Sequence, residues 1–317
     1  MSPGSRNRDS KAESGESSDK ESVLRLRAAV IQSIRSFFIK RGYIEVETPN
    51  LIHAPAPEIH IEAVSSGEGF MHTSPELQMK RLLSSGYSMI FQICKCFREG
   101  ERGDLHLPEF TLLEWYRAGA DYMNLMEECE EMIRFAANET GQGNSIRYMD
   151  NIIDLNGPWR RITVEDAFSL YSPISLQEAL DLERFDEIMV LEIEPALDKT
   201  RPVFLYDYPA SLAGLARLKK GALNVAERFE LYIGGLELAN AFTELTDVKE
   251  QERRFRRDLN IRKKTGKKEY PFPQKFIDDL HMMPDSAGIA FGIDRLVMLF
   301  SNKGRIDDVV SFTPESI

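Results

Sequence analysis

Three short stretches carry residue types whose spacing implies chemistry. The first, REGERGDLHLPEFTLLEWY at 98–116, follows the apolar run SMIFQICKCF, crosses a charged loop and returns with Phe110, Leu112, Glu114 and Tyr116 at alternate positions. Alternate residues of a strand share a face. Glu114 is thus set among apolar side chains, where a carboxylate is costly without a cationic partner. Two partners stay open: Arg98, in a structural ion pair, or a ligand carrying positive charge. The second stretch, ERFELYIGGLELANAFTELTD at 227–247, reads as two alternating strands joined by Gly234-Gly235, a two-residue hairpin turn. Pairing Ile233 with Leu236 sets Tyr232 opposite Glu237 and Glu230 opposite Ala239, so that Glu230 and Glu237 become diagonal neighbours ~7–8 Å apart at the backbone. Like charges at that spacing call for a cation, and magnesium held by carboxylates plus substrate phosphates suits them. Asn240 and Glu244 extend the polar lining. The third stretch, GIAFGIDRLVMLF at 288–300, brackets a short strand with glycines that let a planar or phosphorylated group approach, then opens a helix with Asp294 and Arg295. An arginine in a first helical turn gains nothing from the helix dipole. A ligand anion gives Arg295 a reason to be there, whereas packing alone would account for the glycines.

Periodicity identifies the elements that must position these groups. From Val23, the residues Leu26, Val30, Ile34, Phe37 and Phe38 recur at helical spacing up to Gly42, and YIEVETP at 43–49 reads as a strand. Strands are predicted at 68–72, 89–98, 109–116, 203–208, 227–233, 236–242 and 288–292. Helices are predicted at 75–84, 121–138, 164–170, 176–181, 249–258, 274–281 and 294–300. Strands and helices do not alternate as βαβ units, which favours a mixed α+β fold over a doubly wound one. Residues 1–21 are rich in Ser, Glu, Lys and Gly and are expected to be a disordered tail, leaving 22–317 as one domain.

Composition narrows the function classes. The chain has 317 residues, 42% of them hydrophobic, and no apolar run long enough to span a membrane or serve as a secretory signal, so a cytoplasmic location is expected. A net charge of −11 argues against a broad nucleic-acid surface. One basic segment, ERRFRRDLNIRKKTGKK at 252–268, is either a solvated helix and loop or a docking site for an acidic protein or RNA. The three cysteines cannot all pair, and Cys94 and Cys96, alternating on a strand, read as buried thiols rather than zinc ligands or a disulfide.

Taken together, the three stretches resemble motifs 2 and 3, and the strands between them, of class II aminoacyl-tRNA synthetases, and the segment ending in EVETP matches motif 1. HTSPELQMKRLL, PEFTLLEWY and ELANAFTELTD are specific to the lysyl branch. Within it the chain is similar to the elongation factor P (R)-β-lysine ligase family over residues 22 to 317. Lysyl-tRNA synthetases carry an anticodon-binding barrel before motif 1, whereas about 21 residues precede it here.

The resemblance implies an α+β catalytic domain with a central antiparallel sheet flanked by helices, and a homodimer joined through motif 1. It implies ATP-dependent activation of (R)-β-lysine or lysine as an adenylate, with Mg2+, and transfer to a lysine ε-amino group of elongation factor P. A truncated synthetase acting on RNA and a non-catalytic regulator are the alternatives; the missing barrel and the acidic chain disfavour tRNA. Arg98, Glu237 and Arg295 would be catalytic, with Arg98 on the substrate carboxylate and α-phosphate. The nucleotide would also meet Glu99, Gly100, Leu107, Phe110, Leu238 and Gly292, with Phe110 stacked on adenine. Glu230 and Glu237 would hold the metal. Glu76, with Ser74 and Glu114, would receive the backbone-side amine, and Tyr116 and Glu244 the distal one, with Pro75 and Asn240 also on the substrate. Ala290, glycine in the synthetases and alanine in the ligases, would shape the pocket wall. The chain departs from the pattern at Gly100, where an acid is expected and Glu101 stands next, at Leu107 in place of asparagine, and at Ala241 in place of glycine.

Overall fold

A computed structural model describes residues 9–317. Its centre is a nine-stranded sheet. The main strands are β1 (Ile44–Glu45), β2 (Met89–Phe97), β3 (Glu109–Ala118), β4 (Arg160–Thr163), β5 (Val203–Pro209), β6 (Ala222–Ile233), β7 (Leu236–Thr243) and β8 (Ser286–Gly292). They lie side by side in the order β1-β2-β3-β8-β7-β6-β5-β4. The outermost pairs β1–β2 and β4–β5 are parallel and the pairs between them antiparallel.

The helices that matter for the site are α1 (Asp9–Lys40), α2 (Glu76–Ser84), α3 (Tyr122–Glu139), α4 (Val248–Lys264), α5 (Gln274–Leu280) and α6 (Ile293–Ser301). Alternation along β3 assigns them to two faces. Leu113 and Trp115 point into the main core with Phe38 of α1, Ile133 of α3 and Leu299 of α6. Tyr116 points the other way, into a smaller cluster with Leu83 of α2, Phe255 of α4 and Ile277 of α5. The first face is a continuous apolar layer, and the second carries the polar cavity described below.

Most elements read from periodicity form where expected. The helix expected from Val23 begins at Asp9, so the 9–21 part of the segment read as a disordered tail is helical; residues 1–8 of that segment lie outside the described residues. YIEVETP contributes two paired residues, Ile44 and Glu45, at the sheet edge. Three elements were not legible. The hairpin Ser145–Tyr148/Asn151–Asp154 turns through Met149 at φ +51°, without the glycine that marks such turns, and Asn302 Oδ1 accepts from the Met149 amide. β4 is a four-residue strand at an edge, and 185–196 is a chain of short helical turns interrupted by Pro195.

The end of the basic segment turns inward. Arg262, fully buried, donates to the Glu58 and Ile61 carbonyls and pairs with Glu62 at 2.6 Å. Lys267 donates to the Ile59 carbonyl and Lys268 to the Ala63 carbonyl. These three cations pin the 58–63 loop against α4, while Arg253, Arg256, Arg257, Lys263 and Lys264 stay exposed on the helix. Among the described residues no helix is long and apolar enough to cross a membrane.

Candidate active site

A cavity of about 280 Å³ lies over β3, β8 and β7, lined at its two ends by Arg98 with Arg295 and by Ser74 with Tyr116. At the arginine end, Arg98 follows β2 directly, and its guanidinium stands over the Phe110 ring at 5.0 Å. Its Nε is buried with no partner, an orphaned donor that suits an anion. Arg98 meets Glu101 at 3.8 Å and makes no ion pair with Glu114, so the structural pairing left open for that glutamate is not formed. Arg295 is clamped in place: it donates to the carbonyls of Glu237 at 2.7 Å and Leu105 at 3.4 Å, and its Nη2 lies 2.8 Å from His106 Nε2. Arginine is always a donor. His106 Nε2 must therefore be the unprotonated acceptor, in keeping with an imidazole pKa lowered by burial and by Arg295. Asp294 does structural work beside it, pairing with Arg27 at 2.6 Å and accepting from the Thr111 amide, which ties α6 to α1 and β3.

Not every residue expected on the nucleotide reaches this cavity. Glu99 points outward and pairs with Lys268. Gly100 is exposed at φ +80°, and Glu101 lines the cavity instead. Leu107 is buried in the main core and offers an apolar wall. Phe110, Leu238, Gly292 and Arg295 do line it.

The other end collects carboxylates. Glu114 accepts from Ser74 Oγ at 2.5 Å and from the Tyr116 hydroxyl at 2.9 Å, and burial, reinforced by Glu76, pushes its pKa well above the usual carboxylate range. Pro75 stays out of the cavity wall and caps α2, which carries Glu76. Glu244, at the end of β7, is fully buried behind the wall. Between Glu76 and Glu244 lies a residue sequence reasoning missed: Lys80, buried, with Nζ 2.5 Å from each carboxylate. Its i,i+4 spacing from Glu76 was the available signal. Glu244 Oε1 is left without a partner, and burial drives the pKa of this carboxyl up to about 8 against the pull of Lys80. The site thus holds three carboxylates and one fixed ammonium.

Gly288 makes this arrangement possible. It lies opposite Tyr116 in the β3–β8 register, and a Cβ there would come within 2.2 Å of the tyrosine ring and 2.5 Å of Glu244 Oε1. Ala290, two residues on, faces Glu114 on one side and Asn240 on the other and lines the cavity.

The hairpin carrying Glu230 and Glu237 closes through Gly234-Gly235 with Ile233 opposite Leu236, as the spacing predicts. A bulge then shifts the register, so Glu230 faces Asn240 rather than Ala239. Strand residues three apart normally face opposite ways. With the extra residue, Glu237, Asn240 and Phe242 all line the cavity, while Leu238 and Ala239 pack into the core beneath its wall. Glu230 accepts from Arg228 at 2.7 Å and from the hydroxyls of Tyr208 at 2.6 Å and Tyr232 at 2.7 Å, which uses most of its lone pairs. Glu237 meets Arg295 at 3.4 Å, and burial and the Glu230 charge raise its pKa. A divalent cation suits this pair, with Glu237 the freer ligand.

His72, Cys94 and Cys96 also come together, their ligand atoms within 4.8 Å. His72 Nε2, the ring nitrogen near Cys96 Sγ, is 2.6 Å from the Lys95 carbonyl, so it donates there and is spent as a ligand.

Comparisons with known proteins agree with one another. The sequence model of the tRNA synthetases class II (D, K and N) matches residues 9–316. Proteins named elongation factor P–(R)-β-lysine ligase are similar over nearly their whole length. The one from Vibrio atlanticus is 37% identical over 309 residues, 91% of this chain and 94% of the relative. That from Pseudoalteromonas translucida is 38% identical over 323 residues, 92% and 94%. That from Vibrio campbellii is 39% identical over 306 residues, 91% and 94%.

Proposed function

From the chain's membership of the class II tRNA synthetases (D, K and N), and within them of the elongation factor P–(R)-β-lysine ligases, we propose that it joins (R)-β-lysine or lysine to a lysine ε-amino group of elongation factor P by way of an adenylate. The observation that carries this reading is the charge composition of the cavity. Lys80 balances one of the carboxyls of Glu76, Glu114 and Glu244, and the two that remain, raised in pKa by burial, are left to ionise against a substrate with two ammonium groups.

Activation is attack of the substrate carboxylate on the ATP α-phosphate with loss of pyrophosphate, which needs positioning and neutralisation rather than a protein nucleophile. Arg98 binds the carboxylate and the α-phosphate through its orphaned edge, with Phe110 below it. Arg295, clamped by His106 and the Glu237 carbonyl, meets the phosphate tail. Glu237, assisted by Glu230, holds Mg2+, which when bound neutralises phosphate charge. Glu114, carrying the Ser74 and Tyr116 hydroxyls, and Glu76 receive the backbone-side ammonium. The free Oε1 of Glu244 receives the distal one.

Exposed apolar side chains at Ile39, Ile44 and Leu51, around the motif 1 strand, support a homodimer through that edge. Sedimentation should give a dimer that Ile44→Glu dissociates, and a monomer at micromolar wild-type concentration would count against it. The function itself is tested by the intact mass of elongation factor P after incubation with enzyme, ATP, Mg2+ and each lysine isomer. A gain of one lysyl unit is expected. Charging of lysine tRNA with no mass gain on the protein would overturn the reading.

A further inference from the structure

A second cavity, of about 580 Å³, opens beside the first. Its rim is exposed at Asp186, Val190, Ser211 and Arg257, and its inner end shares Glu58, Ile61, Glu76, Glu237 and Asn240 with the cavity already described. Two cavities with a common wall give two routes to one point, the place where a substrate carboxylate held by Arg98 meets the α-phosphate. The first is filled by amino acid and nucleotide. The second is lined on both flanks by carboxylates, Glu194 and Glu230 on one and Glu58 on the other, with Arg228 against Glu230. Its lining draws a cation inward from solvent.

Glu58 stands where the cavities join. Its backbone is fixed by Arg262, which donates to its carbonyl at 2.6 Å, and by Lys267, which donates to the next carbonyl. Its carboxylate has no hydrogen-bond or ion-pair partner among the described residues, unlike Glu76, Glu114, Glu230 and Glu237. The charges facing it are Glu76 and Lys80 of α2, Arg98 after β2 and Arg228 of β6. A carboxylate fixed by its backbone, unpaired at its head and set between a cation-attracting passage and a reaction centre is placed to handle a proton.

We propose that the second cavity admits the acceptor lysine side chain of the partner protein and that Glu58 is the base that takes a proton from its ammonium. This rests on the transfer reaction proposed above. The acceptor enters as R–NH3+ and gives one proton to Glu58. The neutral nitrogen attacks the adenylate carbonyl, the C–N bond forms, and the bond from carbonyl carbon to phosphate oxygen breaks. The second proton leaves with the departing AMP phosphate, so an amide, AMP and protonated Glu58 result. Burial, with Glu76, lifts the Glu58 carboxyl to about 7, which suits a base working near neutrality.

The test compares two nucleophiles on one adenylate. Hydroxylamine is small and already unprotonated at neutral pH, so it needs neither the passage nor the base. Enzyme loaded with adenylate in a single turnover is mixed with elongation factor P or with hydroxylamine. In Glu58→Gln the ratio of transfer to hydroxylamine trapping should fall roughly 10²–10⁴-fold, the range for loss of a general base. An unchanged ratio overturns the assignment of Glu58. In Ser211→Trp, at the exposed rim, transfer should fall while trapping persists; unimpeded transfer overturns the route. Wild-type enzyme that forms adenylate yet never modifies elongation factor P would refute the ligase reading itself, a separate outcome from either variant's.

Discussion

Gly288→Ala should cripple recognition of the amino acid and spare ATP. An added Cβ at this position would stand 2.2 and 2.4 Å from Tyr116 ring carbons and 2.5 Å from Glu244 Oε1. β8 cannot easily retreat, because it is hydrogen-bonded to β3 on one side and β7 on the other. The ring must therefore move, and its hydroxyl leaves Glu114, to which it donates at 2.9 Å. Loss of a hydrogen bond to a charged group costs ~1.5–3 kcal/mol, which at 1.36 kcal/mol per decade is roughly 10- to 150-fold in kcat/KM. Overpacking adds ~1–3 kcal/mol of destabilisation, so thermal unfolding must show the variant folded at the assay temperature. Lysine-dependent exchange of pyrophosphate into ATP reads the effect, with kcat/KM for the amino acid falling and KM for ATP unchanged. Gly292→Ala is the matched control. Its Cβ would meet Arg295 carbons and the Leu238 carbonyl at 3.8 Å, ordinary contacts, so any effect there comes from the ligand. KM for ATP should rise in that variant and KM for lysine should not. A folded Gly288→Ala enzyme with undiminished kcat/KM for the amino acid would refute the reasoning.

Three further outcomes are expected. Arg98→Ala should lose ~3 kcal/mol of transition-state stabilisation, about a hundredfold in the same exchange assay, and full activity would remove Arg98 from its role. Glu244 has a folded pKa of about 8 against an ordinary 4.5, so its contribution to stability is complete below pH 4.5 and is lost as pH rises through about 8. Glu244→Gln should therefore flatten the decline of Tm across that window, and an unchanged slope would contradict the assignment. Ala290→Gly should shift the ratio of kcat/KM for α-lysine over (R)-β-lysine towards α-lysine by ~10- to 200-fold, the worth of a methyl-scale misfit; an unchanged ratio would return Ala290 to the scaffold.

What was legible in the sequence follows from which interactions are local. Helices and strands were visible because burial imposes its period on neighbouring residues: Val30, Ile34 and Phe38 of α1 reach the core along one face, and Leu113 and Trp115 of β3 share the face that packs against them. Glu114 and Tyr116 could be placed on one face by strand alternation, whereas Ala290 came to the pocket wall only through the resemblance. The bulge after Glu237 was not legible, since nothing in ELANAF marks the extra residue, and the pairing of Glu230 slipped by one. Lys80 was overlooked because its i,i+4 spacing from Glu76 is common on solvated helices, and its second partner Glu244 lies far along the chain, so nothing local marks the ammonium as buried. The basic segment presents the solvated helix face that was one of its two readings, at Arg253, Arg256, Arg257, Lys263 and Lys264, but the inward turn of Arg262, Lys267 and Lys268 onto backbone carbonyls of the 58–63 loop had no local signal.

The same charges explain which distinctions this site makes sharply and which it makes weakly. Removing either substrate ammonium leaves a buried carboxylate facing nothing, either Glu114 with Glu76 or Glu244 through its free Oε1. Sites built around a polar substrate group reject analogues lacking it by ~10⁴–10⁵-fold, because the protein's own groups are then unpaired. On the proposed function, amino acids with a single amine should therefore be rejected by electrostatics. Moving an amine by one carbon changes no charge, and Lys80 keeps the total the same for both lysine isomers. Discrimination between them falls to shape at the wall where Ala290 lies between Glu114 and Asn240. A methyl group there acts at the scale of ~1–3 kcal/mol. On the proposed function, selectivity for a diamine rests on Glu76, Lys80, Glu114 and Glu244, whereas selectivity for the β-isomer depends on far smaller contacts and should be correspondingly easy to alter by substitution.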